Sequence, residues 1–165
     1  NNLCVRYPVS ASPKYPFLPR STVDLIPGQY WSIPLSNGKF ACGRVLQVQD
    51  GESRNFIAGL MDWCGEAPPA SEDVRSAKLA EHGLAHAKTI RESRGAVLGR
   101  VPLEDSELEV PLTLDQSPGD GCRLRRGFSL LGVASSEEQR KLKVFSTWGY
   151  SVVRIKAEKR FAGDA

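Results

Sequence analysis

The sequence is poor in the residues on which most enzymatic and metal chemistry rests. It has two histidines, His82 and His86, and four cysteines, Cys4, Cys42, Cys64 and Cys122. No two cysteines stand at C-x-x-C spacing, and two histidines are too few for a zinc site unless cysteines join them. The i, i+4 spacing of the histidines would put both on one helix face, but Gly83 interrupts that helix. No glutamate sits between them as H-E-x-x-H requires. No metal or other cofactor is therefore expected. A chain of 165 residues does not need disulfides to hold its core, so the cysteines read as buried, reduced thiols. A nucleophilic Cys42 or Cys64 would need a base in reach, and the only histidines fall in the Ala-rich helical region. Gly38, Gly43 and Gly51 do not form a phosphate-binding spacing. An enzyme is not expected.

No run approaches the roughly 18 apolar residues needed to cross a membrane. The first twenty residues lack a long apolar core followed by a small-residue cleavage site, so they do not read as a signal peptide. The expected location is cytoplasmic. What is present is ordinary for a soluble globular protein: 41% apolar and 25% charged residues. The charge is unevenly spread. Residues 61–120 carry six Lys/Arg against twelve Asp/Glu, and residues 121–165 carry ten against four. Such a split either polarises the surface and steers a charged partner, or brings the two segments together so that they neutralise one another.

Residues 1–22 contain Pro8, Pro13, Pro16 and Pro19 and read as an extended arm; residues 23–165 read as one domain. Pro27-Gly28 is a turn. Residues 30–35 form an aromatic and branched strand, Asn37-Gly38 is the strongest short hairpin signal, and residues 40–48 return. On that return strand Phe40, Cys42, Arg44, Leu46 and Val48 point one way. Arg44 on that side is either a buried, paired cation or a side chain snorkelling at the sheet edge. Residues 55–63 add a third strand, completing an antiparallel meander of the kind that often faces water on one side. Ser71 caps a helix running to about Glu81. Residues 84–94 are ambiguous, and 96–101 form a strand. Glu104, Asp105, Glu107 and Glu109 sit in an acidic stretch that fits a solvated edge strand, with Pro111 supporting the edge. Residues 128–133 form a strand, Ser135 to Glu138 start a short helix, and 144–155 read as a strand carrying Trp148, Gly149 and Tyr150. The fold class is α+β: a mainly antiparallel twisted sheet with one or two helices.

The basic C-terminal third, from Arg123 to Arg160, could meet phosphates, with Trp148 and Tyr150 stacking on bases. It carries no ribonucleoprotein motif, helix-turn-helix or zinc finger.

The stretch "IPGQYWSIPLSNGKFACGRVLQV" resembles the start of the bacterial immunity protein 26 family. Its members open with Pro-Gly, an aromatic, "IPL", an Asn/Asp-Gly hairpin, an aromatic and "GRVL". Here these are Gly28, Trp31, Ile33, Pro34, Leu35, Asn37, Gly38, Phe40, Gly43 and Arg44. "GAVLGRVPL" and "STWGYSVVRIKAEKRF" are similar to later parts of the family, so the resemblance covers about residues 26–161. It implies a non-catalytic immunity protein of a polymorphic or contact-dependent toxin system, whose partner is a cognate toxin domain. The patterned hairpin then builds the fold, and binding is done elsewhere. If the toxin is a nuclease with a basic cleft, the partner surface should be acidic. Glu104, Asp105, Glu107 and Glu109 are the first candidates, with Asp62 and Glu66 at the start of the same segment. The alternative is a nucleic-acid or other interaction module using the basic third.

Overall fold

The Asn37-Gly38 signal produces the first hairpin. Asn37 Oδ1 accepts from the Lys39 N–H at 3.0 Å, Leu35 N–H donates to the Lys39 carbonyl at 2.8 Å, and Gly38 takes a φ of 83° that a side chain would disfavour. The strands on either side are β1 (Gln29–Pro34) and β2 (Phe40–Gln47), paired antiparallel from Tyr30↔Arg44 to Pro34↔Phe40. In the computed structural model, which describes residues 13–163, β3 (Asn55–Gly65) extends this meander. The remaining strands and α-helices are α1 (Ser71–Ser76), β4 (Leu79–His86), α2 (Lys88–Glu92), β5 (Val97–Arg100), β6 (Leu112–Leu114), β7 (Arg123–Arg126), β8 (Ser129–Val133), α3 (Ser136–Lys141), β9 (Thr147–Trp148) and α4 (Val152–Ala157). The protein is α+β. A six-stranded sheet has the order β5-β1-β2-β3-β4-β9, antiparallel except where β9 joins β4, and a three-stranded antiparallel sheet has the order β6-β7-β8. Among the described residues, no helix is long and apolar enough to cross a membrane.

The large sheet is covered on both faces, not open to water on one. One face carries Trp31, Ile33, Ala41, Val45, Phe56, Ala58 and Leu60, packed with Ile90 of α2 and Val153 and Ala157 of α4. The other carries Tyr30, Cys42 and Met61, packed with Val74 of α1 and Val101. The strict alternation expected for β2 breaks at a bulge between Val45 and Gln47. Val48 therefore packs with the Ala41 and Val45 cluster, while the Gln47 side chain accepts from Phe128 N–H at 3.0 Å, next to the small sheet.

Four expectations need correction. The helix starting at Ser71 ends at Ser76; its N-cap is Ala70, whose N–H is taken by the Asp73 carboxylate at 2.9 Å. Residues 79–86 are instead the strand that pairs with β3 from Leu79 to His86. Gly83, read as a helix stop, is where the Trp148 ring lies against the strand: a β-carbon there would come within 2.6 Å of it. The acidic stretch is not an edge strand but a 3-10 turn, Leu103–Ser106, followed by coil; only Leu112–Leu114 beyond Pro111 is strand. Of the expected strand 144–155, Val144 forms an isolated bridge, Thr147–Trp148 is strand, and Val152–Ala157 is helix.

Part of the N-terminal arm, residues 1–12, lies outside the described residues. Phe17 pairs with Val97 through two backbone hydrogen bonds of 3.1 and 2.9 Å, and Tyr15 and Phe17 pack against the main cluster.

Trp31, the largest fully buried side chain among the described residues, lies over Gly43 so closely that a β-carbon at that position would overlap its indole ring. Gly43→Ala should therefore destabilise the fold by about 1–3 kcal/mol, read as a lower urea midpoint. Gly132→Ala, where a β-carbon meets nothing within 4 Å, should stay within about 0.5 kcal/mol of the parent. Equal midpoints for the two variants would contradict this packing.

Candidate functional site

Arg44 is completely buried. It projects from β2 on the face that also carries Cys42, toward the segment after β5. Its Nη2 donates to the Val101 carbonyl at 2.6 Å and the Pro102 carbonyl at 3.4 Å. Its Nη1 donates to Ser106 Oγ at 2.9 Å. Among the described residues no carboxylate lies within ion-pair distance of it, and its Nε has no partner. Burial pulls its pKa below the ordinary arginine value, while Cys42 and Asp105 act in the opposite direction. The guanidinium is thus neither snorkelling nor ion-paired: it is held by the backbone and hydroxyl acceptors of one turn.

That turn is fixed from several sides. Val101 N–H donates to the Gly28 carbonyl at 3.1 Å, and Gly28 approaches so closely that a β-carbon would overlap the Val101 carbonyl. Asp105 N–H returns to the Pro102 carbonyl at 3.0 Å, and Leu108 N–H to the Leu103 carbonyl at 3.1 Å. Glu107 closes the turn in the left-handed region with a φ of 51°. Leu108 packs into the cluster of Met61 and Val74. What remains outside is acidic: Glu104, Asp105 and Glu107 are all exposed, and none of them forms an ion pair among the described residues. Glu72, exposed in the first turn of α1, belongs to the element packed beside this turn. Arg75 and Lys78 share a shallow depression with Asp105 and Glu107, so the surface is acidic with a basic margin.

The other candidate acids are not part of this group. Glu109 is exposed on a second groove, bordered by Lys141 and Lys143. Asp62 pairs with Arg160 at 3.3 Å, and Glu66 pairs with Lys39 beside the first hairpin at 3.6 Å. Of the quoted motif residues, Trp31, Ile33 and Leu35 are buried, Pro34 and Phe40 half-buried, and Asn37 and Gly38 exposed. Trp148 is buried over Gly83. Gly149 accepts from Val152 N–H in the turn into α4, and Tyr150 is half-exposed, edge-on to His86 at 5.1 Å.

A family model described as immunity protein 26 matches residues 26–118. The chain belongs to the immunity protein 26 family. No curated protein and no solved structure matches it. The matched stretch runs from the turn before β1 to just beyond β6, and it contains both Arg44 and the acidic turn. It stops short of the later segment Ser146 to Phe161.

In this member of the immunity protein 26 family the described cysteines fall in three separate clusters. Cys42 is buried and its thiol is pushed up to about 12, chiefly by burial, so it stays protonated at neutral pH. Cys122 is also buried, and Cys64 is half-buried. His82 and His86 stand on β4 rather than on a helix, where i, i+4 spacing separates residues by about 13 Å. Burial, with Lys143 adding to it, holds the His82 imidazole below the usual histidine range. Among the described residues, no three His, Cys, Asp or Glu side chains converge as a metal site would require.

Two outcomes test this arrangement. Arg44→Met leaves the Val101 and Pro102 carbonyls without their donor, which should destabilise the protein by about 1–3 kcal/mol. Hydrogen exchange at the amides of Asp105, Glu107 and Leu108 should quicken by about tenfold or more; unchanged protection there would refute the clamp. Cys42 bears on alkaline stability. Its folded pKa is raised from 9.0 to about 12, so its contribution is intact below pH 9 and falls as pH rises toward 12, by about 1.4 kcal/mol per unit. In urea unfolding, the stability difference between the parent and Cys42→Ala should shift against the parent by about 2 kcal/mol between pH 8 and pH 10.5. A difference independent of pH would contradict it.

Proposed function

We propose that this protein is a non-catalytic immunity protein that neutralises a cognate toxin domain by binding it, with the turn bearing Glu104, Asp105 and Glu107 as the first contact surface. The observation that carries this reading is a group of exposed carboxylates, unpaired among the described residues, on a turn fixed from beneath by a buried arginine. A rigid turn loses little conformational freedom on binding, so its charges act on a basic partner without a prior ordering step. Complementary charge of this kind speeds encounter and sets orientation. The complex would form in the cytoplasm, where a toxin delivered by a neighbouring cell must be met.

The basic C-terminal third supports nucleic-acid binding less well, because much of its charge is engaged within the protein. Arg125 pairs with Asp115, Lys156 with Glu81 and Arg160 with Asp62. Arg123 and Arg126 donate to the Leu131 and Val110 carbonyls.

The test is stopped-flow mixing with a catalytically inactive form of the toxin domain encoded beside this chain. The parent should form a tight one-to-one complex. The triple variant Glu104→Lys, Asp105→Lys and Glu107→Lys should associate roughly tenfold more slowly at low salt, the difference shrinking as salt is added. Association unchanged at low salt would exclude this turn as the contact surface, and no complex with the folded toxin domain would exclude the function.

A further inference from the structure

A short crossover strand joins the small sheet to the edge of the large one. Leu114 of β6 bridges Val144 in parallel, with Leu114 N–H donating to the Lys143 carbonyl at 2.9 Å. Two residues later Ser146 accepts from Leu84 N–H at 2.9 Å, and Thr147 and Trp148 pair with Leu84 and Ala85. The crossover therefore covers only the C-terminal end of β4. Among the described residues, 79–83 have no strand neighbour on that side. Beside them a groove of about 360 Å³ opens between the β4 edge and β6. An open strand edge offers unpaired N–H and C=O groups, which proteins normally cover, blunt or use.

This groove has the chemistry of a strand-binding site. His82, on the open edge, has a ring Nε2 that is shielded from water and meets no partner among the described residues. Lys141 and Lys143 are exposed on the facing rim. Lys141 is paired with Glu137 one helical turn away, whereas Lys143 forms no ion pair among the described residues. Val144, 41% exposed, adds an apolar contact on the same rim. Glu81 is already engaged by Lys156 at 2.9 Å, and Glu109 marks the far rim.

We propose that this groove captures an extended segment of the toxin bearing carboxylates, which adds as a strand to the free edge of β4 and sets an acidic side chain against Lys143. The proposal deepens the toxin-binding reading and rests on it for the identity of the partner. Main-chain pairing would supply affinity, and the alternating side chains would supply selection. A second copy of the chain fits less well, since the Lys rim of one would face the same rim of the other.

The groove can be tested without the toxin. The isotope-labelled full chain is titrated with an acetylated, amidated peptide of sequence Thr-Val-Glu-Val-Glu-Val-Thr, and with its counterpart carrying Lys in place of Glu. Saturable amide shifts are expected at residues 80–83 and 143–146 with the acidic peptide, and about tenfold weaker binding with the basic one. Lys143→Glu, an exposed change, should remove that preference. Shifts elsewhere, an equal response to both peptides, or none at millimolar peptide would overturn the proposal. Because no toxin is present, a toxin domain that fails to bind the parent would sink the immunity reading and leave the groove result standing.

Discussion

The buried guanidinium of Arg44 is the constraint around which one half of the molecule is arranged. A cation sealed from water must find acceptors, and the acceptors it finds are carbonyls and a hydroxyl rather than a carboxylate. Its strand is the second of the meander, and its partners lie nearly sixty residues later, at the end of β5. That one side chain therefore joins the opening hairpin to the segment after the large sheet's far edge. Because the acceptors are backbone atoms at Val101 and Pro102, the chain direction there is fixed. Residues 103–106 can then close into a 3-10 turn whose carboxylates point outward. A carboxylate at the arginine would have spent the negative charge inside the protein; carbonyls leave it on the surface.

The charge split along the sequence resolves in a similar way. Asp62, Glu81 and Asp115 come from the acidic middle, and their partners Arg160, Lys156 and Arg125 come from the basic C-terminal third. The two segments do neutralise one another at these points, as one of the two sequence readings allowed. None of these pairs is fully buried, so each adds little to stability. Their larger effect is to decide which charges are left over. Among the described residues, the carboxylates of the 103–107 turn and the ammonium of Lys143 remain without ion-pair partners, on different surfaces. The polarity that survives folding is local, and it could not be located from the segment totals.

The hairpin was legible because its signals are local. Asn37-Gly38 fixes a turn, and Trp31, Ile33, Ala41 and Val45 share one side of it. The residues after Ser76 were not legible, because a long-range demand decides them. "LAEHGLAH" contains alanines and an i, i+4 histidine pair, and by propensity it is a fair helix. But β3 is eleven residues long and needs a partner on its outer side, and Trp148 needs a glycine to lie against. Pairing and packing override propensity there. The acidic stretch failed for the same kind of reason. Its alternation of acids with Leu108, Val110 and Leu112 mimics a strand, while the actual determinant, Arg44, is far away in sequence. Arg44 was visible as an anomaly on the apolar side of its strand, and that anomaly was the one available sign that something would be clamped.

The family match ends at Pro118, but the packing does not. Trp148, Val153 and Ala157 all belong to the main cluster with Trp31 and Phe56, and β9 completes the large sheet. The basic third is thus not a module that could be removed while leaving the hairpin's core intact: without it, one face of that core would be exposed to water. This constrains where partner selection can reside within it. Changes on the buried sides of β9 and α4 would act on stability before they acted on binding. The crossover from Lys143 to Ser146 is different, since its residues are half-buried or exposed while its ends are pinned to β6 and β4. A segment held at both ends and open in between can vary its side chains without moving its backbone, which a specific binding surface requires.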